Sequence, residues 1–387
     1  MKKLFWVLVV GSIVFLGGCA SSKYRFEYQD QQADIVWPQA PNVSRYRYLG
    51  VIQGDRNFKK IEGSEGIARR GVSWFGQFLF GDETPRLMHR PQSGAVDEQG
   101  QRLFITDVGS KSLFVFNLGG DSEKGSDNSS ENGSENGSDS RSELGLSDSK
   151  LDVWDGIDSE TSFITPIAVC VLDENQIFVS DAELGYVIKF DAKGESLARI
   201  GEKELVRPTG LACDKEKKTI YVADSQSHKI HKFSSDGKSL LTFGQKGSAK
   251  GEFNSPTHLT FANDKLYVSD TLNARVQVLD PQGNWLSDFG KRGMYVGNLP
   301  RPKGVAVDSD QHIYVVESYY DHLIVFDEVG QVLLPIGGSG NKPGQFNLPA
   351  GVWIDKNDVV YVADMFNSRI MVFQYLKQRS QTNAAKH

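Results

Sequence analysis

Six acids close six versions of one short phrase: FITD at 104–107, FVSD at 178–181, YVAD at 221–224, YVSD at 267–270, YVVE at 314–317 and YVAD at 361–364. Carboxylates gathered from distant parts of a chain can hold a cation or share acid–base work. From Asp181 to Asp364 they are spaced 43, 46, 47 and 47 residues apart by subtraction, however, and a fixed period in this range marks a repeat. A carboxylate at a strand end accepts backbone N–H bonds from the following turn, with Arg275 and Arg369 placed to reach back. Asp107, Asp181, Asp224, Asp270, Glu317 and Asp364 are therefore read as turn-forming parts. Chemistry is sought where the chain departs from its period. Arg90, Arg207 and Arg301 each stand directly before a proline, Lys303 follows Arg301 by two, and His258 follows Pro256 by two. Guanidinium groups grip carboxylate or phosphate bidentately. A metal needs three or four converging ligands. The positions matching His258 are Ser93, Ala168, Gly210, Gly304 and Gly351, so neither a metal nor a cofactor is expected.

The elements that must position these residues are short. Each unit holds a proline-led apolar run, the aromatic-Val-x-acid run, a third run such as 275–279 or 369–373, and a fourth ending before Gly, as at 239–244 and 285–290. Runs of five to seven residues rich in Val, Ile, Tyr and Phe, bounded by Gly, Asp, Asn and Pro, are strands. One unit is a four-stranded blade. Stretches 256–289 and 349–373 resemble NHL repeats, through D-T-L-N-A-R at 270–275, D-M-F-N-S-R at 364–369 and the connector F-G-Q-K-G-S-A-K-G-E-F-N-S-P at 243–256. The resemblance covers roughly residues 90–375; blade 1 is degenerate, and blade 2 carries Gly185 and Tyr186 where Asn and Arg would fall nearby. It implies an all-β, six-bladed β-propeller whose first strands line a central channel.

Blade 6 runs out of strand signal after its third strand. Residues 46–54 (YRYLGVIQG) have the form of a fourth strand and precede all others, so the N-terminal strand is expected to close the ring and remove an open edge. The propeller is assigned to residues 45–376 and a polar tail to 377–387. We call the face where each first strand begins the front. Arg90, Arg207 and Arg301 fall there on alternate blades, about a third of a turn apart, where they could surround one anion.

Lys2 and Lys3 precede an apolar run at 4–16, and L-G-G-C follows at 16–19. This has the form of an export signal over 1–18 and resembles the bacterial lipoprotein box, which implies acylation of Cys19. Ala20 next to it fits the outer membrane, with the body facing the periplasm. Residues 19–44 read as the acylated Cys and a flexible tether of roughly 80 Å reach. Cys170 and Cys213 fall four and five residues after their prolines, on opposite faces of their strands, so no disulfide is expected. A connector at 59–90 contains the aromatic stretch VSWFGQFLF at 72–80, read as a short packed helix or else as a lid, partner patch or membrane-surface anchor. Residues 119–150 are Ser, Gly, Asn, Asp and Glu and read as a disordered insertion. With eight acids against three bases there, it carries −5 of the chain's formal −6. The rest is nearly neutral. Export and the lack of a basic face exclude nucleic acid.

The insertion and the tether both attach on the back, so the front is expected to point away from the membrane. The function read from the sequence is a monomeric, lipid-anchored binding or scaffold module presenting that front to a protein, peptide or glycan partner, not an enzyme. The alternative is a hydrolase or lyase acting at the channel mouth on a small anionic substrate with His258 and the arginines; similar folds include streptogramin lyase-like and gluconolactonase-like enzymes.

Overall fold

A computed structural model describes residues 24–31, 35–61, 84–97, 101–118 and 149–377. The leader and Cys19, the stretch at 72–80, nearly all of the 119–150 insertion and the tail beyond Lys377 lie outside the described residues. Six antiparallel sheets follow in chain order. Blade 1 is Pro91–Asp97, Arg102–Asp107, Ser112–Asn117 and Lys150–Trp154; blade 2 is Pro166–Asp173, Gln176–Asp181, Tyr186–Phe190 and Ser196–Ile200. Blade 3 is Pro208–Asp214, Thr219–Asp224, Lys229–Ser234 and Ser239–Phe243; blade 4 is Pro256–Ala262, Lys265–Asp270, Arg275–Leu279 and Trp285–Phe289. Blade 5 is Pro302–Val307, Ile313–Glu317, His322–Phe326 and Val332–Gly337. Blade 6 has only Val352–Ile354, Val359–Asp364 and Arg369–Tyr375 from the C-terminal end, and Tyr46–Ile52 is its fourth strand. All-β architecture, six four-stranded blades and N-terminal closure are as the repeat predicts.

The closing strand pairs in register with the last one, Ile52 opposite Ile370, Val51 opposite Met371 and Tyr46 opposite Tyr375. Alternation in Tyr46–Ile52 buries Tyr46 and Tyr48 against blade 5 and blade 6 side chains, whereas Ile52 packs toward blade 1. Its four buried apolar side chains, Tyr46, Tyr48, Val51 and Ile52, stabilise the ring by roughly 6–12 kcal/mol as an upper bound.

One correction concerns the tether. Its described parts, 24–31 and 35–44, are built into the propeller: Tyr24–Phe26 pairs with Phe58–Lys60, and Val36–Trp37 adds a fifth strand to blade 6. Phe26 packs edge-on to Phe116, and Trp37 edge-on to Phe373. Aromatic burial ties down a segment that lacks regular alternation and so reads as a linker.

A second correction concerns the cysteines. Cys170 and Cys213 form a disulfide, with Cα atoms 5.8 Å apart. The opposite parity is right, and it is what joins them. Each blade packs one face on the preceding blade and the other on the next. Ala168, Cys170 and Leu172 face blade 3, whereas Val169 and Val171 face blade 1. Leu211 and Cys213 face blade 2, and Ala212 faces blade 4. Residues that meet across a seam must therefore lie on opposite faces of their own strands.

Candidate functional site

The repeat acids are consumed by structure. All six are buried, at most 1% exposed, and each ties two front-face loops together. Asp224 accepts the N–H groups of Val206 (2.8 Å) and Arg207 (3.0 Å) from the connector before its blade, and those of Gln226 and Ser227 in the turn after it. Asp181 does the same with Ile164, Thr165, Glu183 and Leu184. In blades 4 and 6 the repeat arginine adds an ion pair, Arg275 Nε to Asp270 at 2.9 Å and Arg369 Nε to Asp364 at 2.8 Å. Among the described residues no three His, Cys, Asp or Glu converge as metal donors.

The arginines before the prolines serve that scheme through their backbones: Arg90, Arg207 and Arg301 donate N–H to Asp107, Asp224 and Glu317. Their side chains then diverge in role. Arg207 is half-exposed, and its Nη1 donates to Glu183 Oε1 of blade 2 at 2.7 Å. Arg90 stands exposed at the seam of blades 6 and 1, beside His89, whose carbonyl accepts a hydrogen bond from Ser368. Arg301 is exposed, and Lys303 behind it is partly buried. Burial and the neighbouring Arg301 both lower the Lys303 pKa from the usual lysine value. Neither Arg301 nor Lys303 has an ion-pair partner among the described residues.

His258 belongs with this last pair. Its column is otherwise small, because neighbouring innermost strands nearly touch: a Cβ on Gly304 would lie 2.4 Å from Val352 N, and one on Gly351 2.3 Å from Gln92 O. At the seam of blades 4 and 5 the same column holds an imidazole. Leu259 faces blade 3, so His258 faces blade 5, on the side of Lys303. Burial, with Lys303 adding to it, pushes the imidazole pKa down to about 3. The ring is neutral at physiological pH.

Which nitrogen carries the proton follows from its neighbours. Thr271 Oγ1 donates to Pro302 O at 2.8 Å, which uses its one hydrogen. The 2.6 Å contact between Thr257 Oγ1 and Thr271 Oγ1 must then be filled by the Thr257 hydrogen. The 3.0 Å contact between His258 Nδ1 and Thr257 Oγ1 is left to a proton on Nδ1. Nε2 is therefore a bare acceptor. It is buried and without a partner, a state that costs about 1–3 kcal/mol. As a general base, a ring held near 3 is poorly matched to neutral pH. It is suited to receiving a hydrogen bond.

The front face carries a second feature that motif reading misses. Two residues after the repeat acid, blades 1 to 3 present Gly109, Glu183 and Gln226, whereas blades 4 to 6 present Leu272, Tyr319 and Phe366. The last three are exposed, by 54%, 62% and 49%. The connector into blade 5 adds Met294, Tyr295 and Val296, also exposed, and Arg292 of that connector donates to Leu272 O. In this column the front is thus apolar on blades 4 to 6 and small or polar on blades 1 to 3, where the connectors add, among the described residues, only the single exposed large apolar side chains Ile164 and Val206. The signal was available as a column of the repeat, but it does not resemble any motif.

The first strands line a channel of about 250 Å³, walled by residues such as Val169, Ala212, Leu259, Val305 and Trp353. Hydroxyls in the x position of the repeated phrase bind its walls together. Thr106 Oγ1 donates to Ile167 O of the next blade at 2.8 Å, and Ser180 and Ser269 donate likewise to Thr209 O and Lys303 O.

Comparison with known proteins supports the architecture. The family DUF5128, described as a 6-bladed beta-propeller, matches residues 301–383. A structural-genomics protein of unknown function from Bacteroides thetaiotaomicron superposes with a TM-score of 0.53 at 14% identity, over 74% of this chain and 70% of that one. A gluconolactonase from Xanthomonas campestris gives 0.51 at 15%, over 75% and 87%. A streptogramin B lyase gives 0.50 at 12%, over 75% and 94%. At these identities the likeness is one of fold. No curated protein matches the sequence.

Proposed function

We propose that the chain is a lipoprotein of the bacterial envelope, built from NHL-type repeats and acylated at Cys19, whose monomeric propeller binds a protein partner on its front face without catalysis of its own. The observation that carries this reading is the apolar arc of Leu272, Tyr319 and Phe366 on consecutive blades. Contiguous exposed apolar side chains mark interaction surfaces, and aromatic residues with nearby arginine are the usual anchors of protein interfaces.

The anchor fits this orientation. Ser149, which precedes the fourth strand of blade 1 at the back, donates its N–H to Tyr24 O, so the first described residues leave from the back. Between Cys19 and Tyr24 the chain spans at most roughly 17 Å when extended. The back is then held near an outer-membrane surface and the front faces the periplasm.

The second reading, a hydrolase or lyase on a small anionic substrate, would use His258 as its base; the depressed imidazole pKa disfavours it. The test is site-specific photocrosslinking in native envelopes, with the probe at Tyr319 and, in a separate strain, at Glu183. A discrete protein adduct from Tyr319 and none from Glu183 is expected. Equal labelling from both positions, or capture of glycan alone, would reject a protein-binding arc.

A further inference from the structure

From the seam of blades 4 and 5 we infer a binding site for a carboxylate that carries a hydrogen-bond donor beside it: Lys303 and Arg301 take the negative charge, and His258 Nε2 accepts the donor. This goes beyond the protein-docking arc and stands without it.

Three observations converge. The first is that Lys303 and Arg301 are both without a counterion among the described residues, two positive charges separated by one proline. Burial first and the neighbouring Arg301 second lower the Lys303 pKa, and an arriving anion would offset both. The second is the bare, buried Nε2 of His258, fixed as an acceptor by the chain of hydroxyls from Thr257 through Thr271 to Pro302 O. That chain ends on blade 5 one residue before Lys303, so the acceptor and the charges are held by one seam. The third is the column itself. Blades 3, 5 and 6 place glycine where blade 4 places His258, so packing of the ring does not call for an imidazole there.

A sulfate dianion, or the dianion of a phosphate monoester, satisfies the charges but offers no donor to Nε2, and a bare cation is repelled. A carboxylate with an adjacent O–H or N–H satisfies both. Two sources share that chemistry, a 2-hydroxy acid and the C-terminal residue of a peptide with its amide N–H.

The test uses the full chain in detergent with ring-15N histidine, and four probes: L-lactate, N-acetyl-L-alanine, acetate, and N-acetyl-L-alaninamide. Lactate or N-acetylalanine is expected to bind saturably at millimolar concentration and to move the His258 Nε2 resonance toward lower frequency. Preference between the two identifies the source. Acetate lacks the donor and the alaninamide lacks the charge, and each is expected to bind about tenfold more weakly or worse. Lys303→Met should lose about tenfold in affinity, with the exposed Arg301→Gln as a second variant that leaves the fold untouched. The inference is overturned if neither lactate nor N-acetylalanine moves Nε2, if acetate or the alaninamide binds as well as they do, or if both charge variants bind unchanged.

Discussion

Cys170 and Cys213 tie the innermost strands of blades 2 and 3 together across their seam. Both line the central channel. The bond closes a loop of 43 residues that contains three of blade 2's four strands. In the loop-entropy description a closure of that length is worth about 4 kcal/mol, a large share of the stability of a domain. The double variant Cys170→Ala, Cys213→Ala should lower the urea midpoint accordingly, and reduction of the native chain should do the same. A midpoint indifferent to reductant would mean that the seam is held by packing alone.

Closure by the N-terminal strand makes the ring's stability depend on residues far from most of its sequence. Tyr46 OH meets Tyr314 OH at 3.0 Å, and Tyr314 OH donates to Asp308 at 2.7 Å. Deleting residues 45–54 should abolish cooperative thermal unfolding, since the apolar burial lost rivals the whole net stability. Tyr46→Phe, which removes one hydrogen bond, should cost only about 1 kcal/mol. A deletion that melts like the parent would contradict strand closure.

His258 predicts a pH dependence. Its folded pKa, about 3, lies below the unfolded value near 6.5, so the unfolded state takes up the proton first and stability falls as pH drops from about 6.5 toward 3. Between pH 8 and pH 5 the loss is about 2 kcal/mol. His231, lowered by burial, acts in the same direction; His312, raised by Asp308, acts in the opposite one. His258→Gln should therefore be compared with the parent at both pH values, and its urea midpoint should fall less on acidification. Parallel falls would place His258 in a more polar setting than the seam.

The repeat acids predict a contrast with the arginines beside them. Asp364 is fully buried and receives the Arg369 guanidinium, the Asn347 N–H and the Asn367 amide. Asp364→Ala leaves Arg369, 8% exposed at its side chain, without its counterion, at a cost of about 3–5 kcal/mol. Arg90→Ala, which keeps the backbone N–H that Asp107 needs, should stay within about 0.5 kcal/mol. Chemical denaturation measures both; similar losses would show that the Arg90 side chain has a structural role.

The arc on blades 4 to 6 predicts a separation of folding from binding. Tyr319→Ser with Phe366→Ser should change the melting temperature little, because both side chains are about half exposed or more, and should abolish the crosslink expected from that face. Loss of the crosslink with an intact melt supports the docking surface. Retention of it would move the partner elsewhere.

Local relationships are the ones that the amino-acid sequence determines by itself. The period of the acids, the proline that opens each first strand and the strand missing from blade 6 are properties of one unit, and the bonds of Asp181 or Asp224 reach no further than about 18 residues. Such contacts are determined by nearby sequence, so spacing reveals them. The seams are not legible in this way. Whether Cys170 meets Cys213, whether Arg207 turns to Glu183 or to an anion, and whether Tyr24–Phe26 lies free or against Phe116 depend on which face of one blade meets which face of the next. The same holds for His258: the sequence marks it as a departure, but only the packed blade 4–5 seam aligns Thr257, Thr271 and Pro302 so that its Nε2 is left bare. Alternation along a strand determines parity, and the ring alone converts parity into partners.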